Sequence, residues 1–391
     1  MENSLKRLAT MALAASWLLA IRSVPIAAPR GAAGTADTTA AAPPQKAHST
    51  RPTTQTATAA HRRAHHSSQA RDPWRLGSYG APGAEDNPSA DDPVIRQAAV
   101  AALGNWNGSV VVVDPNTGRV LSIVNQKLAL SSGFTPCSTF KPVVALAALR
   151  EGIISPTTKL YVGNHERVDL TDALARSNNM FFRKLGEMLG FQRLTEYARE
   201  FGLGEKAGLG IPGESPGRYP SAPPKEGGVG FLAYCGTDME VTPLQMAAVI
   251  SAIANGGTLY ALQYPRTAED LAAFQPVVRR QLDYLAEYLP RVRDGLAAAV
   301  LYGTGRSAYD PDLSIYGKTG TCSENGARLG WFVSYAGEVH PKYVVVVLLR
   351  GGRMVYGPHA AEIAGHVYRD LLQKDHPTQA SREGFPAVSY H

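Results

Sequence analysis

Cysteine is scarce: the chain has three in 391 residues. That is too few for a disulfide scaffold, and their spacing is not that of a zinc site. The apolar stretch near the N-terminus, Leu8 to Ile21, falls short of the roughly 20 residues that span a bilayer. The composition excludes a polytopic membrane protein, a collagen and a coiled coil. Internal repeats are absent, and large apolar residues are almost missing between positions 22 and 74. Acidic charge is scarce in the same region. Residues 22–75 hold eight basic side chains against Asp37 and Asp72, a net +6. Residues 1–21 add +1, so residues 76–391 carry −1 of the formal total of +6. The basicity that would suggest a nucleic-acid binder is confined to the N-terminal quarter, and the rest is close to neutral.

Lys6-Arg7, the uncharged run Leu8–Ile21 and Arg22 form a secretory signal pattern. The expectation for residues 1–28 is a signal peptide, with a short membrane anchor at 8–21 as the alternative. Residues 29–91 are rich in Ala, Thr, Pro, Arg and His. Such a segment buries too little apolar surface to offset chain entropy, so a disordered linker is expected. The His61–His66 cluster is read as part of that solvated linker rather than as a metal site.

A folded domain is expected over 92–375, with a flexible tail at 376–391. Asp92-Pro93 is a helix start, cap followed by first-turn proline. Ser109–Val113 and Arg119–Val124, joined by Asp114–Gly118, predict a β-hairpin. Apolar spacing of three to four predicts helices at Pro142–Glu151, Asp169–Arg176, Asn179–Leu189, Leu194–Phe201 and Pro243–Asn255, with one or two more in Asp270–Val300. Strands are expected at Leu313–Lys318, Gly330–Tyr335 and Tyr343–Arg350, then a helix at Ala360–Gln373. The fold class is therefore α/β, with a sheet drawing strands from both ends of the chain beside a helical insertion.

Three short motifs carry chemistry. Ser138 and Lys141 sit three apart where an apolar helix begins, which puts them on one face. Pro142 is tolerated only in a first turn, so Ser138 belongs at the helix N-terminus. There the helix dipole favours negative charge on the serine oxygen and disfavours an ammonium, which helps Lys141 act as a base. Ser177-Asn178-Asn179 links two helices. Lys318-Thr319-Gly320-Thr321 is expected at the end of a strand, with Lys318 and Gly320 on one face. Each has an ordinary structural reading: a chance helix start, a helix cap, an edge-strand lysine. Their order is far more specific. Ser177 follows Lys141 by 36 residues and Lys318 follows Asn179 by 139, the motif set of active-site serine enzymes that process penicillin and peptidoglycan peptides.

The sequence resembles the transpeptidase domain of penicillin-binding proteins over about residues 105–372. The resemblance is carried by the three motifs and by Phe201–Gly217, Val241–Gly257 and Gly330–Ala336. It implies a β-lactamase/transpeptidase-like fold, with an antiparallel sheet built from the N-terminal hairpin and three C-terminal strands, flanked by helices, with an all-helical subdomain. It implies Ser138 as nucleophile, Lys141 as base, Ser177 as proton relay and Asn179 as a substrate-peptide contact. Lys318 would supply positive potential, and Thr319, Gly320 and Thr321 would line the substrate site. The backbone N–H groups of Ser138 and Thr321 would form an oxyanion hole. No metal or organic cofactor is implied. Partners would be peptidoglycan stem peptides and β-lactams, with cell-envelope association through the N-terminal segment and an exported location, periplasmic or on the outer face of the cell membrane. The expected function is a D,D-transpeptidase or D,D-carboxypeptidase. The alternatives are a class D-like β-lactamase, sharing the Pro-Cys-Ser-Thr-Phe-Lys string, and a β-lactam sensor or wall-binding protein without turnover. Cys137 and Cys322 flank motifs that meet in this fold. A disulfide is open to them outside the cytoplasm, but two buried thiols are expected, with strand geometry turning Cys322 away.

Overall fold

The computed structural model describes residues 83–131 and 133–375. The expected signal segment, most of the linker with its histidine cluster, and the tail at 376–391 lie outside the described residues. Helix α1 (Pro93–Leu103) starts as the sequence predicts: Asp92 accepts from the N–H groups of Val94 and Ile95, and Gly104 ends the helix. Residues 83–91, just upstream, also pack onto the domain. Asp86 accepts from the backbone N–H groups of Asn125 and Gln126. Both Asp86 and Asp91 are ion-paired with Arg96.

Strands β1 (Gly108–Val113) and β2 (Val120–Val124) are joined by the Asp114–Gly118 turn. Short α2 (Gln126–Leu130) follows, then a single 3-10 turn, Cys137–Phe140, leading into α3 (Lys141–Arg150). A small hairpin, β3 (Leu160–Gly163) and β4 (Glu166–Val168), precedes α4 (Leu170–Ala175). Helix α5 runs Asn179–Glu200 but breaks at Gly190, so it behaves as the two helices that the glycine predicts. Then come α6 (Gly228–Cys235) and α7 (Pro243–Asn255). Thr242 caps α7 and Gln245 closes the capping box. The same Gln245 donates to Glu205 O and Pro216 O, 2.6 and 2.7 Å away, so one side chain starts a helix and ties down the preceding loop.

The one or two further helices expected in Asp270–Val300 are present as α8 (Ala268–Ala272) and α9 (Leu289–Leu301). Between them β6 (Val277–Gln281) pairs antiparallel with β5 (Thr258–Ala261). The C-terminal part supplies β7 (Ile315–Glu324), β8 (Ala327–Ala336), β9 (Tyr343–Gly351) and α10 (Gly357–Asp375).

The main sheet has the order β2-β1-β9-β8-β7, with antiparallel neighbours throughout. It joins the N-terminal hairpin to the three C-terminal strands, as expected. Its central strands are buried on both faces, which is why β1 and β9 read as unbroken valine-rich runs rather than alternating ones. Alternation divides the side chains between two cores. Val111, Ile123, Val344, Val346 and Trp331 face α3 and α7. Val110, Val112, Val345, Val347 and Phe332 face α1 and α10. Strand β7 forms one edge of this sheet. Among the described residues no helix is long and apolar enough to cross a membrane.

Candidate active site

The free edge of β7 lies against the 3-10 turn that leads into α3. Several contacts hold that approach. Glu324 accepts from the N–H and the hydroxyl of Thr135, at 2.9 and 2.6 Å. The Trp331 indole donates to Thr135 O at 3.0 Å. Gly320 leaves room for a close approach. A Cβ there would stand 3.0 Å from Pro136 O and 3.1 Å from the Thr139 methyl. Ser138 therefore enters half-buried, one turn before a fully buried Lys141, on one helical face as its spacing predicts.

Lys141 reaches the second motif. Its Nζ donates to Ser177 O at 2.8 Å, to Ser177 Oγ at 3.0 Å and to Asn179 Oδ1 at 2.7 Å. No hydrogen bond joins it to Ser138. Burial holds Lys141 well below the ordinary lysine range, and the positive charge of Lys318 adds to the effect. Both reduce the cost of the neutral amine, the form able to take a proton. Ser177 sits in a left-handed conformation, φ 55°, which costs a non-glycine residue about 1–3 kcal/mol. Asn178 turns away and caps α5, accepting from Phe181 N at 2.9 Å. The capping reading of this motif is thus correct for its middle residue, while the flanking Ser177 and Asn179 converge on the lysine.

On β7, Lys318 is fully buried, donates to Thr319 O at 3.0 Å, and is pushed by burial down to about 7. The Lys-Thr-Gly segment lies inside a ten-residue strand, not at a strand end. Thr319 and Thr321 take the opposite face from Lys318 and Gly320. Their hydroxyls already have partners: Thr319 shares a hydrogen bond with Thr304 at 2.5 Å, and Thr321 Oγ1 accepts from Gly357 N at 2.8 Å. Thr304 and Gly357 carried no motif signal. They are brought in by the loop after α9 and by the start of α10.

The two-thiol expectation for Cys137 and Cys322 is overturned: they form a disulfide, with Cα atoms 5.7 Å apart. Strand periodicity explains it. Cys322 lies two residues beyond Gly320 and four beyond Lys318, so all three share the face that meets the 3-10 turn. Cys235 is the free cysteine and packs near Lys141 at the end of α6; burial raises its thiol while the lysine charge opposes that. Among the described residues, no group of three or more His, Cys, Asp or Glu side chains is arranged to hold a metal ion.

A family model described as the penicillin binding protein transpeptidase domain matches residues 108–373. Stage V sporulation protein D of Bacillus subtilis is 30% identical over 288 residues, covering 64% of this chain and 44% of that protein. The peptidoglycan D,D-transpeptidase FtsI of Escherichia coli K12 is 26% identical, over 70% of this chain and 53% of the relative. The chain spans about half the length of the curated relatives it matches. Among solved structures, the transpeptidase domain of Burkholderia pseudomallei penicillin-binding protein 3 superposes with a TM-score of 0.64 at 22% identity. That match covers 76% of this chain and 98% of the other. A D,D-transpeptidase domain from Eggerthella lenta gives 0.61 at 24% identity, covering 73% and 82%. These structural likenesses establish the shared fold.

Proposed function

The chain belongs to the penicillin-binding protein transpeptidase family, and on that premise we propose that it is a serine acyltransferase acting on D-Ala-D-Ala stem peptides of peptidoglycan. It works as a D,D-transpeptidase or a D,D-carboxypeptidase. The observation that carries this reading is Lys141: a buried lysine of depressed basicity, one turn from Ser138 and in hydrogen-bond contact with Ser177 and Asn179.

Ser138 Oγ attacks the carbonyl between the two D-alanines while its proton passes to neutral Lys141. Apo geometry that lacks a direct Ser138–Lys141 bond is compatible with this, because catalytic hydrogen bonds commonly tighten on substrate binding. Lys141 then hands the proton through Ser177 Oγ to the leaving D-alanine amine. The backbone N–H groups of Ser138 and Thr321 hold the developing oxyanion, each contributing roughly 3–4 kcal/mol in the transition state. Collapse of the tetrahedral species leaves a Ser138 ester and free D-alanine. An acceptor amine or water then attacks that ester.

The substrate's terminal carboxylate opposes the burial that depresses Lys318 and favours its protonated form, which then supplies positive potential, and Asn179 releases part of its bond to Lys141 to meet the substrate peptide. Thr319 and Thr321 contact the carboxylate with their O–H groups. Thr321 can do so while accepting from Gly357, since a hydroxyl both donates and accepts. β-Lactams enter as covalent inhibitors that mimic the same amide. The charge distribution supports export, with residues 1–28 as a signal or anchor and residues 29–82 as a tether at the outer face of the membrane.

The test is release of D-alanine from a synthetic stem pentapeptide, with and without an acceptor amine. Release that disappears in Ser138→Ala and Lys141→Ala supports the proposal. Stable acylation by penicillin with no D-alanine release would favour the sensor reading, and rapid nitrocefin turnover the β-lactamase reading.

A further inference from the structure

The Cys137–Cys322 disulfide joins the immediate neighbours of the two residues whose backbone N–H groups would hold the oxyanion. Cys137 directly precedes Ser138, and Cys322 directly follows Thr321. The bond connects positions 185 residues apart in sequence, so no local chain constraint would keep them together. The other ties between the sheet and this approach act on either side of residue 137. Glu324 and Trp331 both bind Thr135, and Gly320 abuts Pro136 O and the Thr139 methyl. The covalent bond is what reaches residue 137. That residue is itself in a left-handed conformation, φ 53°, a region non-glycine residues occupy only when the surroundings impose it. It also sets the direction of the following peptide, and hence of the Ser138 N–H.

Cys137 is fully buried, whereas Cys322 is half-buried between exposed Thr321 and Ser323. The sulfur on the β7 side is therefore the one a small thiol can approach.

We propose that this disulfide is a positioning element for acylation, fixing the Ser138 N–H relative to the Thr321 N–H so that bond formation at Ser138 is fast only in the oxidised protein. The inference rests on the reading of Ser138 and Thr321 as oxyanion donors. A dithiol reductant gives the S–S bond two electrons and two protons; it leaves Cys137 and Cys322 as thiols and itself becomes a cyclic disulfide. The reduced protein keeps its cleft and its Lys141 contacts but loses the fixed spacing of the donors. An oxidising extracytoplasmic compartment would hold the fast form and a reducing cytoplasm the slow one.

The experiment uses the full chain and a fluorescent penicillin, with acylation resolved into a noncovalent dissociation constant and a first-order acylation constant. It compares oxidised protein, protein reduced by dithiothreitol under native conditions, and the double variant Cys137→Ala/Cys322→Ala. Oxyanion donors act in the transition state rather than in the ground state. The acylation constant should therefore fall on the order of 10- to 100-fold on reduction, with the dissociation constant moving less than about threefold. Re-oxidation with oxidised glutathione should restore it. The double variant should be equally slow and indifferent to the reductant. The infrared carbonyl stretch of the acyl-enzyme should rise in frequency when the bond is reduced, because a less well-held oxygen is less polarised.

Verified reduction with an unchanged acylation constant would overturn the proposal. So would a change confined to the dissociation constant, or a reductant effect that persists in the double variant and so acts at Cys235. Loss of the circular-dichroism signal at the assay temperature would assign the bond to stability and overturn it too. Failure of the wider functional reading looks different: the oxidised protein would then not be acylated at all.

Discussion

Replacing Gly320 by alanine probes the contact that seats Ser138, the proposed nucleophile. The added Cβ would lie 3.0 Å from Pro136 O, 3.1 Å from Thr139 Cγ2 and 3.2 Å from Trp331 Cβ. Carbon pairs are comfortable at about 3.5–4.0 Å, so relief requires a shift of roughly half an ångström. None of the three atoms is the tip of a flexible side chain. One is backbone, one belongs to the turn carrying Ser138, and one is fixed by the register of β8 against β7. The turn must move outward, against the Thr135 bonds and the disulfide. Overpacking of this kind costs about 1–3 kcal/mol of stability. A displacement of this order at a catalytic centre costs on the order of 10- to 100-fold in rate. The assay is penicillin acylation beside urea unfolding, with Gly326→Ala as comparison. Gly326 is in the β7–β8 turn at φ 76°, with nothing within 4 Å of a Cβ. Gly326→Ala should lose about 1–2 kcal/mol to backbone strain while acylating at close to the parental rate. Gly320→Ala acylating within about twofold of the parent would refute the seating argument.

Further predictions concern charge. The acid limb of the acylation–pH profile should lie well below 10.5, because burial and Lys318 favour neutral Lys141. Lys318→Gln removes that positive neighbour and should move the limb to higher pH; no shift, or a shift downward, would contradict the coupling. Lys318 at about 7 when folded, against an ordinary 10.5, means that the unfolded chain binds more protons between those values, so stability rises with pH across this window. Between pH 7 and 9 this one group should contribute a gain of about 2 kcal/mol, which Lys318→Met should abolish in pH-dependent urea titrations. Arg96→Ala would leave the nearly buried carboxylates of Asp86 and Asp91 without their cation and should lower unfolding free energy by about 3–5 kcal/mol. A loss under 1 kcal/mol would show the N-terminal latch to be dispensable.

Much of the sheet was legible because its strands are buried on both faces and are written in valine. The length of β7 was not read, although the signal was present. Asn325-Gly326, with φ 48° and 76°, is the residue pair of a tight hairpin turn. It implies paired strands running directly up to Glu324 and from Ala327, and therefore a Lys-Thr-Gly segment within the strand. Alternation from Lys318 would then also have aimed Cys322 at the first motif. Strand β6 was hidden for a different reason. Val277–Gln281 is short and largely exposed, and its state is decided by a distant partner, β5. Helix α6 carries three glycines in or beside its first turn, which local propensity disfavours. It forms because α5 packs against it closely, a Cβ on Gly186 standing only 2.4 Å from Ala233 Cβ.

The three motifs were legible as a set because their order is specific, whereas the residues that contact them were not. Thr304, Gly357, Glu324 and Trp331 support the motifs from loops and neighbouring strands, and nothing in their local sequence announces that. Asp86 and Asp91 were hidden inside a stretch whose composition reads as linker. Burial against Arg96 is a tertiary property that composition does not express.

The central claim is that Ser138 becomes covalently acylated. Intact-mass spectrometry of the full chain after exposure to penicillin, followed over hours, measures this directly. The account predicts one penicillin added per chain, persisting on that timescale and mapped to the peptide containing Ser138. No adduct should form on Ser138→Ala. An unmodified parent protein, or an adduct that survives in Ser138→Ala, would contradict it.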